Sequence, residues 1–392
     1  MRDRKISSIE GVRGIACFMV IMSHLSLIFL PYLHGENPRL ALGWFDKVIY
    51  SIPAGVLYSG TSAVYIFFVL SGYVLTYACI SNGDVLRSCC NMAARRYIRL
   101  CIPTLSSVII CYFAFSLFED STGNLPWISS YGKNVDVTLS GAIRNGLFGT
   151  IFLGDNRYNW VTWTMKIEFY GSLLVFATLP LIINLKNKII VPAVIGIFFC
   201  LCSPGKDGYG YASFYFGVSM YFSRGISYKA LAIAIFILGS YLAGYHYRQP
   251  SYSFITSYMT FDMPGGRILH YYFFNMISGV LIVYSTLKSD CLSFITSNKL
   301  SIWLGKLSFS AYLLQMPVYY VVTSNVYMTC IHYGLSYVYS AIISSLLTIG
   351  AIYSVSIIFF KLIDFNSIKL SKYALNLVEN NKVTNDSQKV NL

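Results

Sequence analysis

Charge is scarce in this sequence. Asp and Glu number 16 and Lys and Arg 29 in 392 residues, 11% together, while 56% of the residues are hydrophobic and 17% aromatic. A soluble domain of this size carries about a quarter charged residues, so a water-soluble globular protein is excluded. Histidine is rarer still, at five, and no Cys or His spacing reads as a metal site. The ten cysteines form no disulfide framework. Most lie in apolar stretches (Cys17, Cys79, Cys111, Cys200) or are expected on the inner face (Cys89, Cys90, Cys291). Free thiols pack as small hydrophobes, and a reducing cytoplasmic side disfavours disulfides. No internal repeat is evident, which speaks against transporter folds built from paired halves. The first apolar run lacks a small-residue cleavage site before a polar segment, so it reads as a first membrane helix rather than a signal peptide.

Long apolar runs are plentiful. Stretches of roughly 17–25 residues, the length of a membrane-crossing helix, recur near 11–30, 55–80, 101–118, 163–183, 189–203, 209–222, 229–247, 268–287, 301–322 and 338–362. This predicts an all-α, polytopic integral membrane protein of about ten transmembrane helices. With the N-terminus inside, 20 of the 29 Lys and Arg fall on the inner side and 9 outside. The positive-inside rule then places both termini in the cytoplasm. The net charge of +13 reports orientation, and nucleic acid is not an expected partner. Residues 1–365 read as one membrane domain and 366–392 as a polar cytoplasmic tail that is expected to be disordered. The longest segment between runs, 119–160, carries turn residues and an apolar patch at Leu147–Leu153. It is expected as a partly re-entrant or interfacial loop on the outer face, and loops of that length are usually functional or disordered.

Ionisable residues inside the apolar runs are expensive and point to function. In "EGVRGIACFMVIMSHL", Arg13 and His24 are 11 residues apart, almost three helical turns, hence on one helix face and roughly 16 Å apart along the axis. Arg13 sits near the cytoplasmic interface and His24 nearer the outside. In "WVTWTMKIEFYGSLLVF", Trp163 precedes Glu168 by five residues. Glu168 is the one carboxylate expected well inside a span, at a depth similar to that of His24. A carboxylate and an imidazole at matching depth suit a base and its orienting partner; pairing of Glu168 with Lys166 or with backbone is the alternative. In "AARRYIRLCIPT", Arg96 and Arg99 share a helix face at i, i+3. With Arg13 they would form a cationic cluster at the cytoplasmic mouth, suited to phosphate by the planar fork of the guanidinium; a plain positive-inside loop would also carry such charge. In "VYIFFVLSGYVLTYA", Ser71-Gly72 permits close approach of a ligand or, the stronger expectation, of another helix. His34, His246, His270 and His332 all fall at or near the outer face, where they suit an acceptor pocket or interfacial anchoring.

Five segments, "GVRGIACFMVIMSH", "IFFVLSGYVL", "ARRYIRLCIP", "WTMKIEF" and "LGKLSFSAYLLQMPV", resemble the membrane acyltransferase 3 family in order and spacing, over about residues 8–365. Arg13 and His24 meet its arginine, ten residues, histidine signature. Phe67, Phe68, Ser71 and Gly72 meet its double-phenylalanine and Ser-Gly element, and Arg96 and Arg99 its Arg-x-x-Arg element. The chain departs from the family at Gln315, where members often have a second histidine, and in the residues that follow Glu168. It also shows no soluble hydrolase-like domain of the kind some longer relatives carry.

The resemblance implies a ten-helix enzyme of the bacterial inner membrane. It would move an acyl group, usually acetyl, from cytoplasmic acyl-CoA to a hydroxyl of a surface polysaccharide, such as a lipopolysaccharide O-antigen, or of its lipid-linked precursor. Acetyl-CoA would be a co-substrate, and no metal is expected. On this reading Arg13, Arg96 and Arg99 hold the coenzyme A phosphates. His24, oriented by Glu168, acts as general base or accepts the acyl group itself, and Trp163, Ser71 and Gly72 contact substrate. The competing class is a proton-coupled carrier of an anionic solute that uses His24 and Glu168.

Overall fold

The computed structural model describes residues 2–35, 43–123, 125–133, 135–246, 249–259 and 262–376; of the predicted tail, 377–392 lie outside the described residues. Among the described residues, the helices of 13 residues or more lie along the apolar runs. They are α1 (Arg2–Phe29), α2 (Gly60–Ser81), α3 (Val85–Leu117), α4 (Trp163–Ile182), α5 (Ile190–Cys202), α6 (Lys206–Phe222), α7 (Lys229–Ala243), α8 (His270–Leu287), α9 (Lys299–Val318) and α10 (Tyr337–Phe359). Helical backbone continues beyond α10 to Asn376. The β structure among the described residues is one antiparallel ladder, Asp262–Met263 with Gly266–Arg267.

Five of these helical stretches are long and apolar enough to cross a membrane: Ser7–Phe29, Gly60–Ser81, Val85–Leu117, Trp160–Ile182 and Tyr337–Asn376. α5 and α7 are apolar but shorter. α6 runs 17 residues and α8 18, and α6, α8 and α9 are rich in Ser, Gly and Tyr. Their polarity follows from position. α6 packs broadly on α2, α8 on α2 and α7, and α9 on α1, so they face protein rather than lipid, and small residues let membrane helices approach closely. The chain is a multi-pass membrane protein.

Two crossings set the positions of the functional helices. Where α1 meets α9, a Cβ on Gly14 would lie 2.3 Å from Ser301 O, and one on Gly305 1.9 Å from Glu10 O. Cys17 Sγ donates to Ser308 O at 3.3 Å and Tyr319 Oη to Ile21 O at 3.1 Å, which fixes the register of the pair. Where α2 meets α6, a Cβ on Gly72 would lie 2.0 Å from Phe214 O. α2 packs on both α1 and α4.

The 119–160 segment contains a helix, Leu139–Arg144, that runs into a wider π-helical turn, Asn145–Leu153, packed on α3 and α4. Its far end is pinned to α9. Pro317 has no N–H to give the carbonyl four residues before it, and Asn159 Nδ2 donates to that carbonyl, Leu313 O, at 2.8 Å.

Candidate active site

Two cavities meet inside the bundle. One, of about 200 Å³, is lined by Arg13, Arg96, Arg99, Glu168 and Ser71 together with Phe67, Phe68 and Phe309. The other, of about 560 Å³, is lined by His24, His34, His246, Trp160, Trp163, Tyr271 and Tyr272. Val64 and Tyr312 line both.

In the histidine cavity, His24 Nδ1 lies 2.8 Å from Gln315 Oε1. The amide is oriented by its other end, because Gln315 Nε2 donates to Tyr312 O at 2.9 Å. Oε1 is therefore the acceptor; Tyr319 Oη, whose proton goes to Ile21 O, lies 3.3 Å from it. An amide oxygen cannot donate, so Nδ1 carries the proton and Nε2 keeps a lone pair. That tautomer follows from the hydrogen-bond network. Trp127 stacks on the imidazole at 5.3 Å between ring centroids and 19° between planes, and Tyr319 meets it edge-on at 5.9 Å. Trp127 in turn packs edge-on against Trp160 at 5.2 Å, so the 119–160 segment covers the half-buried imidazole.

His34 and His246 extend the same wall, with ring centroids 4.8 Å apart. His246 Nδ1 donates to Gly244 O at 3.0 Å, which leaves Nε2 an acceptor. Ser26 Oγ donates to Ser23 O, so it accepts from His34 Nε2 at 2.7 Å, and the other ring nitrogen of His34 is an acceptor. Burial pushes the His246 pKa down to about 4. Burial, then the neighbouring His246, holds His34 well below the usual imidazole range. Both are neutral near pH 7, with lone pairs available to hydroxyl donors. His270 is engaged elsewhere, with Nε2 2.8 Å from Met259 O.

The arginine cavity departs from expectation in its charge balance. Arg13 Nη1 pairs with Glu10 at 3.1 Å, Arg99 Nη1 with Asp364 at 2.7 Å, and Arg96 Nη2 with the Glu168 carboxylate. Three arginines thus face three carboxylates, where the sequence predicted a bare cationic cluster. Arg96 is held most completely, with Nε donating to Ser172 Oγ at 2.8 Å.

Glu168 does not orient His24. Its carboxylate accepts from Arg96 and from Ser71 Oγ, at 2.9 Å to Oε1 and 3.2 Å to Oε2. Equal depth along two helices does not bring two side chains together, because α2 packs between α1 and α4. Lys166 pairs with Asp207 at 2.6 Å rather than with Glu168. Ser71 and Gly72 also part company: Ser71 lines the arginine cavity, whereas Gly72 faces the α6 backbone at Phe214. Trp163 lines the histidine cavity, with Lys206 Nζ 3.8 Å from its ring centroid.

Sequence reasoning missed Asp364, Trp127 and Tyr312. Asp364 had a signal, a lone carboxylate closing the last apolar run. Tyr312 lay within the "LGKLSFSAYLLQMPV" segment but was not singled out; Trp127 had no signal, since aromatic residues abound here. Among the described residues, no group of three His, Cys, Asp or Glu is placed to hold a metal ion.

The helical bundle thus holds a histidine-lined and an arginine-lined cavity that share Val64 and Tyr312. The chain belongs to the family described as Acyltransferase domain, whose profile it matches over residues 6–363; it is a multi-pass membrane protein of that family. It is similar to the O-acetyltransferase PaAT-1 of Phomopsis amygdali, 26% identical over 221 residues. That alignment covers 48% of this chain and 43% of PaAT-1, so the match spans under half of either protein. No solved structure matches.

Proposed function

We propose that the protein is an O-acyltransferase, with acetyl as the group transferred, that moves it from cytoplasmic acyl-CoA to a hydroxyl of a surface polysaccharide or its lipid-linked precursor. The observation that carries this reading is the His24 tautomer: an Nε2 lone pair, held by Gln315 and stacked under Trp127, on the wall of a cavity rich in aromatic rings. Such a nitrogen is placed to take a hydroxyl proton. Trp163, Tyr271 and Tyr272 offer apolar faces to a sugar ring, and His34 and His246 offer neutral acceptors to its other hydroxyls.

The donor fits the other cavity in part. At about 200 Å³ it is smaller than the 300–1,000 Å³ usual for a whole drug-sized ligand. It suits the slender pantetheine arm, with the nucleotide left at the mouth. Arg13 and Arg99, about 30% and 27% exposed at their side chains, are the arginines a phosphate reaches, exchanging a carboxylate for charge-assisted bonds. Arg96, locked to Glu168 and Ser172, shapes the wall. The excess of Lys and Arg near the N-terminal end of α1 supports a cytoplasmic mouth, and the membrane we propose is the bacterial inner one.

The step balances without a metal or redox partner. His24 Nε2 takes the acceptor hydroxyl's proton as the oxygen attacks the thioester carbon. The carbon–sulfur bond breaks, and the thiolate takes the proton from the imidazolium. The products are an ester and free coenzyme A. Prior transfer of the acyl group to Nε2 would use the same nitrogen.

The test is release of free thiol from acetyl-CoA by purified protein in nanodiscs, with and without lipid-linked glycan. The proposal expects release that rises with glycan concentration. Glycan-independent silence together with proton-driven uptake of an anion into vesicles would instead identify a carrier.

A further inference from the structure

The arginines line one cavity and His24 the other, and the two share the side chains of Val64 and Tyr312. Resting on the donor and acceptor reading above, we infer that Val64 and Tyr312 are the specificity-determining residues for the acyl group. The thioester must pass between them to reach His24, and the width of that gap sets the longest chain transferred.

Both side chains are nearly closed off, Val64 5% and Tyr312 6% exposed. The boundary these two side chains form is held in place by the packing. Val64 sits in the second turn of α2, whose path is fixed by the backbone contact of Gly72 with Phe214. The Tyr312 ring is held at both ends. Its hydroxyl donates to Val161 O at 2.9 Å and lies 3.2 Å from Thr164 Oγ1, and its ring meets Phe67 edge-on at 6.2 Å. Thr164 lies in the first turn of α4 and Val161 in the short 3-10 turn, Trp160–Thr162, just before it, so α2, α9 and the start of α4 meet at this boundary. A β-branched valine has few rotamers with which to yield, and packed interiors feel a change of one methylene. A two-carbon acyl end adds little width to the pantetheine thread. A longer acyl chain must lie folded or extended in the same gap, alongside Tyr312.

The experiment compares acetyl-CoA, butanoyl-CoA and hexanoyl-CoA as donors, each as kcat/KM from thiol release, for wild type, Val64→Ala and Val64→Ile. Val64→Ala is expected to raise the butanoyl-to-acetyl ratio about ten-fold or more, the scale on which one or two methylenes are discriminated in an apolar site. Val64→Ile is expected to lower it. Because each ratio is taken within one preparation, partial misfolding of a variant cancels. Tyr312→Phe, which frees the ring from Val161 O, is expected to move the ratio in the same direction as Val64→Ala. Transfer by the wild type with ratios unchanged in all three variants overturns the role of the gap and leaves the acyltransferase reading intact. No acyl-CoA consumption by the wild type overturns both.

Discussion

His24 Nδ1 donates to Gln315 Oε1 across 2.8 Å, from α1 to α9. The bond joins residues 291 positions apart, and it decides which imidazole nitrogen is free. A glutamine holds the tautomer as a carboxylate would, but without adding a negative charge beside the ring.

Replacing Gln315 with Leu removes the acceptor and leaves Nδ1–H buried without a partner. We expect kcat to fall about ten- to a hundred-fold, a share of the 10²–10⁴ that a positioned base supplies, with the donor KM unchanged because the arginine cavity is untouched. Gln315→Glu keeps an acceptor of the same reach and should retain more activity than Gln315→Leu. Steady-state kinetics on both decide it; equal loss in the two variants would remove Gln315 from the account.

Glu168 and Arg96 form a pair with side chains only 17% and 13% exposed. Breaking such a pair from one side leaves a poorly solvated charge, a loss of about 3–5 kcal/mol for a fully buried pair and less here. Glu168→Gln should therefore lower the thermal midpoint clearly, with activity falling in proportion to folded protein. A Glu168→Gln variant of unchanged midpoint that is as inactive as His24→Ala would instead put this carboxylate in the chemistry.

Gly72 is a packing residue. Gly72→Leu forces the α2–α6 crossing apart, since even a Cβ would meet Phe214 O at 2.0 Å. Overpacking of this kind costs about 1–3 kcal/mol or more. Yield and melting temperature in detergent should both drop, while Ser71→Ala, which leaves the crossing alone, should melt close to wild type.

The buried His246 gives a pH dependence with a definite sign. Its pKa is pushed down to about 4 in the fold, against about 6.5 for a free imidazole. Between those values the unfolded chain binds a proton that the folded one refuses, so stability is full above about pH 6.5 and declines as the pH falls towards 4. His34 acts in the same direction. The melting temperature should fall steadily from pH 7 to pH 5, and less steeply in His246→Asn. A flat profile would contradict the buried, neutral state of this pair.

How much of this was legible beforehand differs by residue. Helices lie along the apolar runs, because lipid leaves the backbone few alternatives to helix, and five of them are long and apolar enough to cross a membrane. The candidate residues were legible as cavity-lining groups, since Arg13, His24, Arg96, Arg99 and Glu168 all line one or the other cavity. Their partners were not. Helical spacing gives depth and face within one helix, but the neighbour of each face depends on how α2, α4 and α9 cross, which small residues such as Gly72 and Gly305 set. Hence matched depth and the family resemblance point Glu168 at His24, although it pairs with Arg96. Gln315 stood out only as a departure from the family pattern. Trp127 could not have been chosen among so many aromatic residues without the fold of the 119–160 segment.

The central claim is that His24 is the group on which acyl transfer turns. It is tested by incubating membranes holding either wild-type protein or His24→Ala with labelled acetyl-CoA and total lipid-linked glycans. Label in an alkali-labile glycan ester with wild type, and a loss of about 10²-fold or more with His24→Ala, is the predicted result. Equal labelling by the two proteins would contradict it.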